Sequence, residues 1–221
     1  MVNSIRTVTL RGKTFLIHSD PNSEQICQQD ICKGLTWEPW LTDYILDNLE
    51  KDSTFIDAGA SIGWFTLLAA VHAPKGHIIS FEPHEERFKT MTRSVAENKL
   101  KNVTLIKAAL SDKQGVTTLG GRAEARMGDP GQVIETTTLD HIAEKLNLTP
   151  DLIKMDIEGA EVRALNGMKN LLPHPNLKLA IEVHPTLILK YGDTTDDLYN
   201  LTTQYGFNSR PLYGNYKVFE K

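Results

Sequence analysis

Acidic and histidine side chains follow two apolar segments in the second half of the chain. Asp156 and Glu158 stand two residues apart in KMDIEGAE, and Glu182 and His184 have the same spacing in IEVHP. Residues two apart on a strand face the same side, so each pair faces one side if its strand continues. We predict that Asp156 contacts a ligand and that His184, largely neutral at pH 7, acts as a base. Glu158 would hold an acceptor hydroxyl or orient that histidine. The alternative is that His184 simply lies in an exposed loop.

A glycine-containing stretch, FIDAGASIGWF, follows an apolar run earlier in the chain. Its pattern D-x-G-x-x-x-G begins at Asp57 and departs twice from the dinucleotide fingerprint G-x-G-x-x-G. A carboxylate at the first glycine position would face a pyrophosphate unfavourably, but it suits a cationic ligand such as S-adenosylmethionine, with its ammonium and sulfonium groups. We predict that this loop binds the cofactor through the following residues: Asp57, Gly59, Ala60, Ser61 and Gly63. The alternative is that the glycines only form a tight turn under a helix.

Two further segments predict contacts to a nucleoside. HIISFEP places Glu82 at the end of the next strand, where an acid can accept hydrogen bonds from both ribose hydroxyls. That position fits NAD as well as S-adenosylmethionine. In AALSD, residues 108–112, the backbone near Leu110 and the Ser111 hydroxyl are candidates to flank the adenine.

The remaining pattern predicts the elements that position these residues. Strands and helices alternate from Thr54 onward, which indicates an α/β fold with a mostly parallel sheet covered on both faces. A closing hairpin adds an antiparallel strand. We expect one domain, 1–221, with an N-terminal hairpin and cap over 1–35 and a core over 36–221 that contains an insertion at 115–139. The predicted strands are 54–58, 77–81, 103–107, 151–157 and 177–183, and the predicted helices are 62–72, 85–98, 139–147, 159–171 and 194–205. Residues 20–35 read as irregular, and Glu161 and Arg163 as a solvated helix face.

Composition limits the classes of partner. The 221 residues are 40% hydrophobic and 24% charged, with a net charge of −4, so nucleic acid or an anionic membrane is not indicated as a partner. Two cysteines in a C-x4-C spacing lack the further ligands that a zinc site needs. The N-terminus lacks the apolar region of a signal peptide. We therefore expect a cytoplasmic protein; its oligomeric state is not encoded in any pattern we recognise.

Several motifs together resemble the FkbM-type methyltransferases. FIDAGASIGWFT, IISFEPHEERF, AALSDKQG, TLDHI, LIKMDIEGAEVRALNGM and IEVHP occur in that family's order, between residues 37 and 185. The resemblance implies a Rossmann-like class I sheet of seven strands with the last strand antiparallel. It also implies S-adenosylmethionine-dependent O-methylation of a hydroxyl on a sugar, glycolipid or other natural product. Glu38, in WEP, resembles an acidic position that approaches the cofactor.

Four alternatives stay open beside this interpretation. Asp156 and Glu182 could share a divalent ion that acidifies the hydroxyl, although neither the motifs nor the resemblance requires a metal and we assign none. An RNA ribose 2′-O-methyltransferase would use a lysine base, for which Lys154 is the candidate, but the chain has no basic cluster. A nicotinamide oxidoreductase is disfavoured by the altered fingerprint. A nucleotide-binding module without catalysis is the fourth.

Overall fold

A computed structural model describes residues 4–20, 22–121 and 125–221. Residues 1–3 and 21 of the predicted cap and residues 122–124 of the predicted insertion lie outside this description. The strands are β1 Ser4–Leu10, β2 Lys13–Ser19, β3 Thr54–Ala58, β4 His77–Phe81, β5 Val103–Ile106, β6 Ala109–Leu110, β7 Gly115–Gly120, β8 Arg126–Met127, β9 Gln132–Thr137, β10 Leu152–Met155, β11 Lys178–Glu182, β12 Asn208–Tyr213 and β13 Tyr216–Glu220. The helices are α1 Ile26–Lys33, α2 Pro39–Asp47, α3 Trp64–His72, α4 Glu85–Glu97, α5 Leu139–Leu146, α6 Glu161–Asn166, α7 Pro185–Ile188 and α8 Thr195–Gln204, with a 3₁₀ turn at Leu189–Tyr191.

The main sheet has seven strands in the order β12-β13-β11-β10-β3-β4-β5. Five neighbouring strands, β11 to β5, pair in parallel, whereas β13 pairs antiparallel with both β11 and β12. This confirms the predicted α/β class, including the mostly parallel sheet and the antiparallel strand from the closing hairpin. The order reverses beside β3, so the carboxyl ends of β3 and β10 meet where such sheets bind ligands.

The sheet is covered on both faces because successive residues of its strands point to opposite sides. Ile56, for example, belongs to the cluster formed with α5, α6 and α8, whereas its neighbour Phe55 belongs to the cluster with α2, α3 and the N-terminal hairpin. Both side chains are fully buried. This two-sided burial explains why the central strands are nearly continuous apolar runs. Among the described residues, no helix combines the length and the apolar character that crossing a bilayer requires.

The cap confirms the predicted hairpin and corrects the prediction for the segment after it. Residues 20–35 were expected to be irregular, but α1 forms there. Its Ile31 is fully buried in the cluster shared with α2 and α3. Arg6 of β1 donates to the carbonyl oxygens of Ile31 at 2.7 Å and Gly34 at 2.6 Å, at the end of the helix. These tertiary contacts stabilise a short helix that propensity alone does not indicate.

The predicted insertion forms a second sheet of four strands, in the order β6-β9-β7-β8. The expected strand pair is present as β7 and β9, which run antiparallel. The helix predicted over 159–171 is shorter, since α6 ends at Asn166. Tyr191 donates from its hydroxyl to the Met127 carbonyl at 3.0 Å, which ties this second sheet to the segment after β11.

We predict that Asn98→Ala loosens the cap. The Asn98 side chain accepts from the Leu16 N–H at 2.7 Å and donates to the Leu16 carbonyl at 2.6 Å, so alanine leaves both groups of β2 without a protein partner. The free energy of unfolding should fall by about 1–3 kcal/mol in urea. Asn200→Ala, at an exposed position of α8, serves as the control and should stay within about 0.5 kcal/mol of the wild type. Equal effects of the two substitutions would contradict the assignment.

Candidate active site

A cavity of about 670 Å³ opens at the carboxyl ends of β3, β4, β10 and β11. Most of the predicted site residues line it: Glu38, Gly59, Ala60, Ser61, Glu82, Leu110, Asp156, Glu158 and His184. The other three, Asp57, Gly63 and Ser111, lie behind the wall that these residues form. The tertiary structure therefore brings residues from most of the predicted motifs to the carboxyl ends of the parallel strands.

The loop after β3 requires glycine at two positions because the chain turns tightly against its neighbours. Gly59 has φ +77°, and a Cβ there would lie 1.8 Å from the Asp156 carbonyl oxygen. Gly63 has φ +92°, and its Cβ would lie 2.8 Å from Met91 Cγ. A side chain at the first position would push the loop away from the end of β10. The glycines therefore serve close packing between the loop and its surroundings.

The backbone amides of this loop are engaged inside the protein. The N–H groups of Gly59 and Ala60 both donate to the Phe81 carbonyl, at 3.0 and 2.9 Å. The N–H of Ser61 donates to Glu82 Oε2 at 2.7 Å, and that of Gly63 donates to the Ala60 carbonyl at 2.8 Å. Phosphate-binding loops use such amides to hold the anion. These four are already paired, which disfavours a pyrophosphate at this position.

Glu82 is held rigidly at the end of β4. Only 3% of the residue is exposed, and its Oε1 accepts from the His84 N–H at 2.8 Å while Oε2 accepts from Ser61. Burial raises the pKa of this carboxyl, and the nearby Arg87 charge and these two backbone N–H donors partly offset that rise. In this geometry the backbone of Ser61 is left-handed, with φ +51°. A fixed carboxylate facing the cavity is suited to accept from a pair of ligand hydroxyls.

Asp57 occupies a different environment from the one that its motif suggested. It is fully buried; its Oδ2 accepts from the Thr66 hydroxyl at 2.7 Å, and its Oδ1 lies 3.5 Å from Lys154 Nζ. Lys154 is 2% exposed and also donates to the Gly59 carbonyl at 2.9 Å. Direct contact between Asp57 and a ligand ammonium stays a prediction. In the structure this residue forms a buried ion pair beneath the loop.

Several other carboxylates line the cavity besides Glu82, among them Glu38, Asp156, Glu158 and Glu182. Burial and the charge of Asp156 raise the pKa of Glu38 to about 8 and that of Glu182 to about 7. The Lys154 ammonium lies 3.9 Å from Asp156 Oδ2 and partly balances this charge. Burial is the larger cause of both rises and repulsion from Asp156 the smaller one, so a cationic group bound here would favour the charged forms of these carboxyls.

His184 lies among four carboxylates from three parts of the chain. Its Nδ1 is 2.8 Å from Oε1 of Glu161, and its Nε2 is 3.9 Å from one oxygen each of Asp156, Glu158 and Glu182. Burial disfavours the imidazolium, but the hydrogen bond to Glu161 and the surrounding negative charges outweigh it and raise the pKa to about 9. The imidazole is therefore protonated at pH 7 in the ligand-free protein, unlike the largely neutral histidine expected from the sequence.

Glu161 corrects another prediction. It was expected on a solvated helix face with Arg163, yet its side chain has no exposed surface. Its Oε1 also accepts from the Gly159 N–H at 3.0 Å. Arg163 is half-buried and donates to the Tyr191 carbonyl at 3.2 Å. The sequence signal is faint: in EGAE the second glutamate precedes an apolar helix that has to lie against the sheet.

Further residues around the cavity also come from separated segments. Leu110 lines the cavity, whereas Ser111 is 5% exposed and donates from its hydroxyl to Asp112 Oδ1 at 3.0 Å. Sequence reasoning missed further lining residues from the cap, α4 and the second sheet, among them Cys27, Trp37, Arg87 and Arg126. Since they lie far apart in the chain and carry no shared motif, only the tertiary structure places them together.

The cluster also has the spacing that a cation could use. Asp156, Glu158 and His184 each offer one ligand atom, and these atoms lie within 4.8 Å of one another. Acidic groups near the surface often show such spacing without an ion. We therefore keep the metal-assisted variant as an alternative.

The seven-stranded sheet, with its cavity at the switch point, is the fold of a class I methyltransferase. Residues 57–209 match the sequence model of the methyltransferase FkbM domain, and the chain belongs to that family, which confirms the resemblance. Over 147 residues it is 26% identical to the hexuronic acid methyltransferase AglP of Haloferax volcanii, covering 63% of this chain and 59% of that protein. Over 169 residues it is 33% identical to methyltransferase sdnD of Sordaria araneosa, covering 58% and 65%.

A solved structure supports the fold assignment. The crystal structure of a methyltransferase FkbM from Methylobacillus flagellatus KT is 21% identical, with a TM-score of 0.57 over 77% of this chain and 44% of that chain. The present chain spans about six-tenths of the length of the curated relatives it matches.

We predict that Lys154→Met destabilises the fold strongly because it leaves the buried Asp57 carboxylate without its cation. The free energy of unfolding should fall by about 3–5 kcal/mol. Asp57→Asn in the same chain should recover part of the loss, since it removes the unpaired charge. Urea denaturation of both variants, with the exposed substitution Lys145→Met as control, measures the effect. A loss no larger than that of the control would refute the role of the pair.

Proposed function

We propose that this chain is an S-adenosylmethionine-dependent O-methyltransferase that acts on a hydroxyl of a sugar or a related small molecule. The observation that carries the proposal is the loop after β3. Its amides at Gly59, Ala60, Ser61 and Gly63 are paired within the protein, while a fixed Glu82 faces the cavity. This combination suits a nucleoside without phosphates better than a dinucleotide.

The charges around the cavity also support this cofactor. Glu82 would accept from the ribose hydroxyls, and the backbone beside Leu110 would lie against the adenine. The carboxylates of Glu38 and Asp156, on the opposite wall, would stabilise the positive groups. When bound, S-adenosylmethionine supplies an electrophilic methyl group on a sulfonium.

The acceptor would lie on the side of the cavity formed by Asp156, Glu158 and His184. An alcohol has a pKa on the order of 16, like that of water, so its proton has to leave during or after transfer. His184 Nε2 would take that proton, and Glu158 would hold the hydroxyl. Holding the acceptor in line with the methyl group can supply roughly 7–11 kcal/mol of the barrier. The name of the Haloferax relative specifies a sugar acid, which supports a carbohydrate as the acceptor class.

The alternatives make different demands on the same residues. An RNA ribose methyltransferase with Lys154 as base would need that ammonium to be accessible, whereas here it is 2% exposed and paired with Asp57. A binding module without catalysis would bind the cofactor product but transfer no methyl group. A metal-assisted enzyme would lose activity in excess chelator.

The cofactor proposal predicts a specific calorimetric result. S-adenosylhomocysteine should bind and NAD should not. Glu82→Gln should weaken binding by about 10- to 100-fold in Kd, because a hydrogen bond to a charged group contributes about 1.5–3 kcal/mol. Glu86→Gln, at an exposed position of α4, removes the same charge nearby and should leave Kd unchanged. Binding of NAD alone would overturn the proposal.

The pKa of His184 predicts how the rate depends on pH. A base has to be neutral, and the neutral fraction of this imidazole grows as pH rises through its pKa of about 9. We therefore expect kcat/KM to rise with pH and to level off above about 9. His184→Ala should lower kcat by about 10²–10⁴-fold. Full turnover by that variant on the true acceptor would exclude the histidine as base.

The acceptor can be found by measuring transfer of a labelled methyl group to hydroxylated metabolites and glycans. We expect incorporation into a sugar or polyol hydroxyl, retained in excess chelator. Label in RNA, or loss of transfer on chelation, would favour one of the alternatives instead.

A further inference from the structure

A buried carboxylate stands behind the histidine of the site. Glu161 has no exposed side-chain surface, and a carboxylate in that environment is costly unless hydrogen bonds compensate it. Its Oε1 receives two, from the Gly159 N–H at 3.0 Å and from His184 Nδ1 at 2.8 Å. The second contact joins the start of α6 to the segment after β11. His184 lines the cavity, whereas Glu161 does not.

The contact decides which way the imidazole presents its nitrogens. With Nδ1 donating to Glu161, the proton that can exchange with a ligand is the one on Nε2. This nitrogen lies 3.9 Å from one oxygen each of Asp156, Glu158 and Glu182, too far for a direct hydrogen bond. All three residues line the cavity. The free edge of the ring therefore faces the place where a hydroxyl would lie.

We propose that Glu161 is the positioning residue of this site: its contact with Nδ1 fixes the tautomer and orientation of His184 so that Nε2 can take the acceptor's proton. This inference rests on the proposed role of His184 as base. Glu161 itself touches neither cofactor nor acceptor. Removing a partner that orients a metal-bound histidine typically costs about 10–100-fold in activity, and we expect a loss of the same order for this histidine.

The carboxylates around His184 come from three elements. Glu161 belongs to α6, Asp156 and Glu158 follow β10, and Glu182 ends β11. Of these four carboxylates, only Glu161 is within hydrogen-bonding distance of the ring. Removing its charge should therefore lower the pKa of His184 more than removing any other of the four.

Glu161→Gln tests the inference because glutamine has nearly the same shape and its carbonyl can still accept from Nδ1, but it has no charge. NMR of histidine-labelled protein follows the titration of His184, whose resonance is identified by its loss in His184→Ala. We expect this titration to move to lower pH in Glu161→Gln. The rising limb of the pH–rate profile should move with it. Above that limb kcat should fall by about 10–100-fold, with a smaller loss near pH 7, and KM for the acceptor should change little. Glu144→Gln, exposed on α5, is the matched control and should move none of these.

A double-mutant cycle separates positioning from a merely structural role. If Glu161 acts through His184, Glu161→Gln should cost nothing further in a His184→Ala background. If Glu161 had only a structural role, the losses in kcat of the two variants would multiply. Glu161→Gln alone would then leave the rising limb of the pH–rate profile in place. Should Glu161→Gln fail to fold, Glu161→Asp keeps the charge on a shorter side chain and should give the same readouts with smaller shifts.

The inference would be overturned if Glu161→Gln left the titration of His184 or the rising limb of the pH–rate profile unchanged. It would also be overturned if the fold losses in kcat of the two single variants multiplied in the double variant. The failure of the proposed function would look different. It would appear as a wild-type protein that binds no S-adenosylhomocysteine and methylates no acceptor, while the titration of His184 in the ligand-free protein still reports on the pair.

Discussion

The buried pair of Lys154 and Asp57 is the interaction on which the site depends. The two residues are directly opposite each other on the adjacent strands β10 and β3, and both are buried. The lysine also donates to the Gly59 carbonyl, so one ammonium joins β10, β3 and the loop that follows β3. Asp156 comes two residues after the lysine, and its carbonyl packs against Gly59. The loop after β3 and the end of β10 are therefore held as one unit.

A second constraint is charge. Several carboxylates line the cavity, and burial, together with the charge of Asp156, raises the pKa values of Glu38 and Glu182. The arrangement costs stability in the ligand-free protein, and a cationic ligand would reverse that cost. Among the described residues, three of the six non-glycine residues with positive φ line the same cavity. Glu38, Ser61 and Glu158 all have positive φ, which is uncommon for residues other than glycine and typical of functional sites.

The fold was largely readable from the sequence because its central strands are long apolar runs and its helices follow at regular intervals. The antiparallel final strand was readable for a related reason, since Tyr-Gly-Asn separates two β-rich segments. The helix α1 was not readable. Half of its eight residues are polar, and what stabilises it is burial of Ile31 and two hydrogen bonds from Arg6, a residue of β1. Contacts of this kind leave no periodic trace in the local sequence.

The sequence by itself determined which chemical groups stand at the strand ends, because the period of two along a strand and the glycine spacing after β3 are local properties of the chain. It could not determine their protonation or their neighbours. Only the tertiary structure turned Asp57 away from the cavity and towards Lys154, buried Glu161 behind His184, and gave that histidine a pKa of about 9. Burial and the summed field of charges depend on segments that meet only after folding, and those two quantities decide what each side chain can do.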